Sequence, residues 1–253
     1  MHIKKIGKGK DLVLIHGWGM HSSIWEPIIN KFSNEYTLHL VDIPGMGKSH
    51  VIDPYDLDHV VEAISKALPT SFDILGWSLG SLIALKMSLM YPKKIHRMVL
   101  VGGTPCFINQ KDWSYGVDVR DFNDFANKLF KNYKSTMINF YTLQLMHSKN
   151  SKLLIKELKR IDEAENPPEV KSLQLGLDIL LNNDLRDDIN KIQHQTLLIT
   201  GDMDCLTPMS ASMWLENHLK AGQLKVIEGA SHIPFLSHSD EFLNHLDQFL
   251  LAA

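Results

Sequence analysis

The sequence predicts an α/β fold: a mostly parallel central sheet flanked by helices and broken once by a helical insertion. Three observations predict it. First, short apolar runs rich in β-branched residues recur at residues 12–15, 37–41, 74–75, 98–101, 196–199 and 224–227. Several are continuous rather than alternating in polarity, the pattern of strands buried on both faces of a parallel sheet. Second, amphipathic stretches such as residues 60–68 stand between most of the runs, and strand alternating with helix implies a sheet covered on both sides. Third, the rhythm stops between Thr104 and Gln195, where helical patterns flank Asn166-Pro167-Pro168 without a convincing strand. Compact domains rarely carry a structureless loop of that length. Residues 104–195 are therefore expected to form a helical lid, and residues 1–103 with 196–253 the core.

At 253 residues, the chain suits one domain carrying an insertion and can bury a sizeable core. It is 44% hydrophobic and 22% charged, with 15 Gly and 10 Pro, which excludes a disordered or low-complexity chain. A formal net charge of −3 argues against global attraction to nucleic acid. No run approaches the ~18 apolar residues of a membrane span, and residues 1–10 hold no apolar run of the signal-sequence type. The only cysteines, Cys106 and Cys205, are too few for a disulfide framework and suit a reducing compartment. A cytoplasmic monomer is expected, with Cys205 as a packing thiol. The charge is unevenly spread. Residues 121–160 carry eight basic side chains against Asp121, Asp124 and Glu157, so this segment is +5 and the remainder −8.

The chemistry starts at Gly76-Trp77-Ser78-Leu79-Gly80, a G-x-S-x-G pattern between an apolar strand and a helical run reaching about Tyr91. A serine on a tight strand-to-helix turn needs small residues two before and two after it. Its hydroxyl then projects from the carboxyl end of the sheet, with a helix N-terminus facing developing negative charge. Such a hydroxyl needs a base, and the base an orienting acid. His232, in Gly229-Ala230-Ser231-His232, follows the last strand; His238 is the nearest rival but stands at the start of a helical run. Gly201-Asp202-Met203-Asp204 follows the preceding strand. Asp204 is better placed to reach His232, while Asp202 suits a turn-stabilising role. The order Ser78, Asp204, His232 is one of the known serine-nucleophile arrangements. His16-Gly17-Trp18-Gly19 follows the first strong strand, so the backbone N–H groups of Trp18 and Leu79 are the expected oxyanion donors. Trp18 and Trp77 are both expected to wall the pocket. Gly47-Lys48-Ser49 resembles the end of a phosphate-binding loop, but Asp42 occupies the required first glycine position. No Cys/His spacing suggests zinc, and neither metal nor cofactor is expected.

Taken together, these motifs resemble the α/β-hydrolase superfamily over almost the whole chain. More closely, residues 12–19, 38–47 and 75–80 look like the pimeloyl-[acyl-carrier protein] methyl ester esterase family. Pro105-Cys106-Phe107 does so too, as do Gly176-Leu177-Asp178-Ile179-Leu180 and Asp184-Leu185-Arg186 in the insertion. The resemblance implies an α/β-hydrolase fold with a helical lid, and hydrolysis of the distal methyl ester of a pimeloyl chain on acyl carrier protein. It implies substrate contacts at Trp18, Ser78, Leu79 and His232, and along Phe140, Tyr141, Thr142, Leu143 and Gln144. The basic lid would then face an acidic carrier protein. The family carries arginines there; Lys152 and Lys156 keep the charge at two such places, while Ser135 and Asn139 stand at two others. Lys131 and Lys134 are the compensating candidates for carrier docking. Ser81 replaces a glycine common in the family. The catalytic motifs alone are also compatible with hydrolases of small esters or of C–C bonds, with a lyase of menaquinone synthesis, and with a receptor that binds without turnover.

Overall fold

A computed structural model describes residues 1–163 and 168–251 of the chain, so Asn166 and Pro167 of the expected lid break lie outside the described residues. Seven strands form one sheet: β1 (Ile3–Gly7), β2 (Lys10–Ile15), β3 (Tyr36–Val41), β4 (Phe72–Trp77), β5 (Ile95–Val101), β6 (Gln195–Gly201) and β7 (Gly222–Ile227). Their order is β1-β3-β2-β4-β5-β6-β7, parallel throughout except that β1 runs antiparallel to β3. Each predicted apolar run falls inside one of β2 to β7. β1 was not predicted. It offers only Ile3 and Ile6 to the interior, in register with Val41 and Leu38, while Lys4 and Lys5 face solvent. Exposed lysines on an edge strand hinder pairing with another chain.

The helices are α1 (Glu26–Phe32), α2 (Leu57–Lys66), α3 (Leu79–Met90), α4 (Val119–Lys131), α5 (Tyr133–Gln144), α6 (Ser151–Asp162), α7 (Val170–Asn182), α8 (Met209–His218), α9 (Pro234–Ser237) and α10 (Ser239–Leu250). α2 has one apolar face and an Asp56 cap on the His59 N–H at 2.9 Å, as expected of a surface helix. α3 is different: Leu79, Leu82, Ile83, Ala84, Leu85 and Met87 are all fully buried, so this helix forms part of the core. α4 to α7 all lie between β5 and β6.

The sheet is pinned at the amino ends of its middle strands. Arg97 on β5 binds Asp73 on β4 at 2.7 and 3.2 Å, donates to the Phe249 carbonyl on α10 at 2.9 Å, and reaches the Tyr36 hydroxyl at 3.2 Å. That leaves the carboxyl ends of β2, β4, β6 and β7 free to carry loops, the edge at which parallel sheets place ligand sites. Among the described residues, no helix is long and apolar enough to cross a membrane.

Candidate active site

Ser78 is the single residue between β4 and α3, at φ 57° and ψ −117°. An L-residue in that conformation is strained. Its N–H is tied to the Val101 carbonyl of β5 at 2.9 Å. The flanking glycines are dictated by space. A Cβ on Gly76 would stand 2.2 Å from the Gly80 carbonyl oxygen, and one on Gly80 would stand 2.1 Å from that of Ile15. Ser81 is buried behind the turn, its hydroxyl donating to the Gly76 carbonyl at 2.7 Å, so the departure from glycine is accommodated.

His232 and Asp204 arrive from the ends of β7 and β6 and meet in the interior. His232 Nδ1 lies 2.8 Å from Asp204 Oδ2, and both side chains are buried. The Thr207 hydroxyl approaches Oδ2 at 2.8 Å, while the N–H groups of Leu206 and Thr207 donate to Oδ1 at 2.9 and 3.0 Å. These contacts satisfy the buried carboxylate. His232 itself is clamped: its N–H donates to the Gln144 carbonyl at 3.1 Å, and its carbonyl accepts from Trp77 Nε1 at 2.9 Å. Gly102, at φ 50°, makes room; a Cβ there would be 3.1 Å from the imidazole and 3.3 Å from Asp204 Oδ2. Ser78 Oγ and His232 Nε2 are not hydrogen-bonded to each other, and such contacts commonly tighten only when substrate is bound. Asp202 is exposed and accepts the Gly229 N–H at 2.7 Å, closing the turn. His238 Nδ1 faces the Ser237 hydroxyl at 2.9 Å and makes no ion pair among the described residues.

The loop after β2 supplies the other wall. The N–H groups of Trp18 and Leu79 make no hydrogen bond among the described residues, leaving two donors beside Ser78. Trp18 is fixed by its indole N–H on the Leu173 carbonyl at 2.8 Å and by edge-on contacts with Phe125 and Phe140 at 5.5 and 5.2 Å between ring centres. Gly176 on α7 admits that indole, since a Cβ there would be 2.8 Å from it. His16, fully buried, lies with Nδ1 2.8 Å from the Gly17 carbonyl and Nε2 accepting the Ile43 N–H at 3.1 Å. Burial lowers its pKa to about 4, against a smaller opposite pull from Asp42. The unfolded chain, with a histidine near 6.5, therefore takes up a proton that the native state refuses as pH falls from 6.5 toward 4. Stability from this group is complete above that window and is lost on acidification, by about 2 kcal/mol between pH 7 and pH 5. Urea unfolding at the two pH values should show that loss, and a His16→Gln variant should show less of it.

A cavity of about 160 Å³ opens onto Ser78, walled by Trp18, Phe107, Val117, Phe122, Phe125, Phe140, Leu143, Leu177, Leu180 and Leu206, with Asp121 as its other polar residue. Core and insertion both contribute. Of the run 140–144, Phe140 and Leu143 line the cavity, Tyr141 and Gln144 are buried, and Thr142 is exposed, as the helical period of α5 requires. Trp77 departs from expectation. It lies one position before Ser78 on β4 and packs against Trp25, Phe235 and the His232 ring rather than lining the cavity. Cys205, expected as a packing thiol, is exposed in the turn after Asp204, its Sγ 3.7 Å from the Leu143 carbonyl. Partial burial of its thiol and the adjacent Asp204 carboxylate both raise its pKa. Lys131, Lys134, Lys152 and Lys156 are all exposed on α4, α5 and α6, near the exposed apolar side chains Phe130 and Leu153. Ser135 and Asn139 are exposed as well. Among the described residues, no group of three or more His, Cys, Asp or Glu could hold a metal ion.

Thr207, Gly102 and Gly176 were not anticipated. Thr207 had a legible signal, since Asp204 and Thr207 stand at the spacing of a polar turn before Pro208. The two glycines had none, because what they make room for comes from distant segments.

Residues 11–239 match the alpha/beta hydrolase fold family. The chain is 36% identical over 247 residues to the pimeloyl-[acyl-carrier protein] methyl ester esterase of Nitrosomonas europaea, covering 98% of each chain. It is 38% identical over 251 residues to the protein of that name from Shewanella woodyi, covering 99% of this chain and 97% of the relative. Among solved structures, an esterase from Exiguobacterium antarcticum superposes with a TM-score of 0.89 at 23% identity, covering 98% of this chain and 94% of that one. A bromoperoxidase from Bacillus anthracis superposes with a TM-score of 0.88 at 21% identity, with the same coverage. At such identities the two structures speak for the fold alone. Matches at this identity along nearly the full length, on a sheet of this order, leave one assignment: the chain belongs to the alpha/beta hydrolase family and, within it, to the pimeloyl-[acyl-carrier protein] methyl ester esterases.

Proposed function

We propose that the chain is a serine esterase that hydrolyses the distal methyl ester of a pimeloyl chain on acyl carrier protein, releasing methanol and leaving pimeloyl-acyl carrier protein for biotin synthesis. The carrying observation is the apolar cavity lined by Ser78, at the same carboxyl edge of the sheet where His232 and Asp204 are paired. Family membership supplies the substrate class.

His232 Nε2 takes the Ser78 proton as Oγ attacks the ester carbonyl, and the N–H groups of Trp18 and Leu79 hold the oxyanion. Asp204 keeps the proton of the resting imidazole on Nδ1 and stabilises the imidazolium that forms. Methanol leaves with a proton from His232. Water, deprotonated by the same imidazole, then attacks the acyl-enzyme, and Ser78 recovers its proton as the acid is released. No step calls for a metal or cofactor. The methylenes of the substrate suit the aromatic and leucine walls, which stabilise each buried methylene by about 0.8 kcal/mol.

In this reading, residues 104–195 act as the lid, and Lys131, Lys134, Lys152 and Lys156 receive the acidic carrier. Exposed ion pairs are worth only about 0–1 kcal/mol each, so their main effect is on encounter rate and orientation. The exposed Phe130 and Leu153 nearby offer the apolar contact that such a surface needs.

The test is incubation with methyl-pimeloyl-acyl carrier protein followed by intact-mass analysis, with Ser78→Ala as control. Loss of the mass of one methylene, with the carrier still acylated, is expected from wild type only. Unchanged carrier substrate alongside cleavage of simple short-chain esters would retain an esterase and remove the biotin assignment.

A further inference from the structure

We propose that Asp121 filters substrates by the charge at the end remote from the reacting ester, admitting chains that end in a neutral group and rejecting those that end in a free carboxylate. The inference rests on the esterase reading and adds a selection step to it. The cavity is apolar except at two residues: Ser78, which is buried, and Asp121, which is exposed. Their difference in burial makes Ser78 the inner end of the proposed path and Asp121 the outer. A linear substrate with its ester carbonyl at Ser78 therefore carries its other end out past Asp121.

The charge at that point is only partly compensated at short range. Asp121 stands in the first turn of α4, behind the capping residue Asp118. Its carboxylate has no hydrogen bond or ion pair among the described residues. The neighbouring Arg120 attracts it, but that guanidinium is engaged by Asp118 at 3.3 Å. Lys128, on the same side of α4, stands two turns away, about 10.5 Å along the axis, beyond the roughly 8 Å screening length of physiological salt. Phe122 and Phe125 line the same wall.

The chemistry of the substrates decides what the charge does. A pimeloyl methyl ester on its carrier presents a thioester there, which is neutral. The same ester released from the carrier ends in a carboxylate, ionised at neutral pH and repelled by Asp121. For two largely solvated like charges, the expected discrimination is about two- to fivefold in kcat/KM.

Wild type, Asp121→Asn and Asp121→Glu are assayed on dimethyl pimelate and monomethyl pimelate at about 50 and about 500 mM salt. The readout is the ratio of the two kcat/KM values, diester over monoester. Wild type is expected to favour the diester, with a preference that shrinks at high salt. Asp121→Asn should lower the low-salt ratio about two- to fivefold and flatten its salt dependence, and Asp121→Glu should restore both. A structural role alone would change both substrates together and leave the ratio and its salt slope as in wild type; that result overturns the inference. A wild type active on the carrier-bound ester but silent on the neutral diester also overturns it. Silence on all three esters removes the esterase reading and the filter with it.

Discussion

Ser78→Ala is expected to lower kcat for methyl ester hydrolysis by about 10⁴- to 10⁶-fold, with little change in substrate affinity. The substitution removes only Oγ. The cavity walls, the Trp18 and Leu79 N–H groups and the His232–Asp204 pair all stay in place, so binding persists while the covalent step is lost. Folding should persist too, since the Ser78 N–H bond to Val101 belongs to the backbone. A second variant separates chemistry from conformation. At φ 57° and ψ −117° alanine inherits the strain that serine carries, whereas glycine does not. Ser78→Gly should be equally inactive yet more stable than Ser78→Ala by about 1–3 kcal/mol. Steady-state kinetics with urea unfolding of the three proteins checks both statements. Retention of more than about a hundredth of wild-type kcat by Ser78→Ala would move the nucleophile elsewhere.

Asp204→Asn should cost about 10⁴-fold in kcat, and Asp202→Asn only a small factor. The contrast follows from where each carboxylate points. In Asp204→Asn the remaining oxygen can still accept the N–H groups of Leu206 and Thr207, so the turn keeps its shape. The new amide nitrogen, however, faces His232 Nδ1 from the Oδ2 position. Two donors cannot share that contact, so the imidazole proton shifts to Nε2, and the nitrogen that must accept the Ser78 proton is already occupied. Asp202 is exposed and contacts only the turn at Gly229. An inactive Asp202→Asn beside an active Asp204→Asn would reverse the assignment of the acid.

Much of the site was legible because each of its parts is local. A strand, a glycine-flanked serine and a helix follow one another without a break over residues 72–90, and the steric demands on Gly76 and Gly80 leave a pattern that survives without any knowledge of neighbours. Asp204 and His232 were likewise found from the strands they follow. What was missed depends on distant segments meeting. β1 has two partly buried side chains and is a strand only because β3 lies beside it. Gly102 is fixed by the His232 ring, and Gly176 by the Trp18 indole, each more than a hundred residues away in the chain. Trp77 was misplaced because proximity to Ser78 in sequence suggested a place in the cavity wall, while the indole is taken up by Trp25, Phe235 and the His232 ring. The cavity walls contributed by α4 and α7 could not be read from single helices, whose apolar faces look the same whether they cover a core or a substrate.

The bond from the His232 N–H to the Gln144 carbonyl ties the base to the last turn of α5. The same helix carries Phe140 and Leu143 of the cavity wall, so in the proposed reaction a displacement of α5 would part that wall and release the histidine loop together. In the proposed esterase, the position of the base and the closure of the cavity are therefore coupled through α5. For a substrate carrying two acyl linkages of similar reactivity, that coupling would favour attack on the one enclosed over the one left outside.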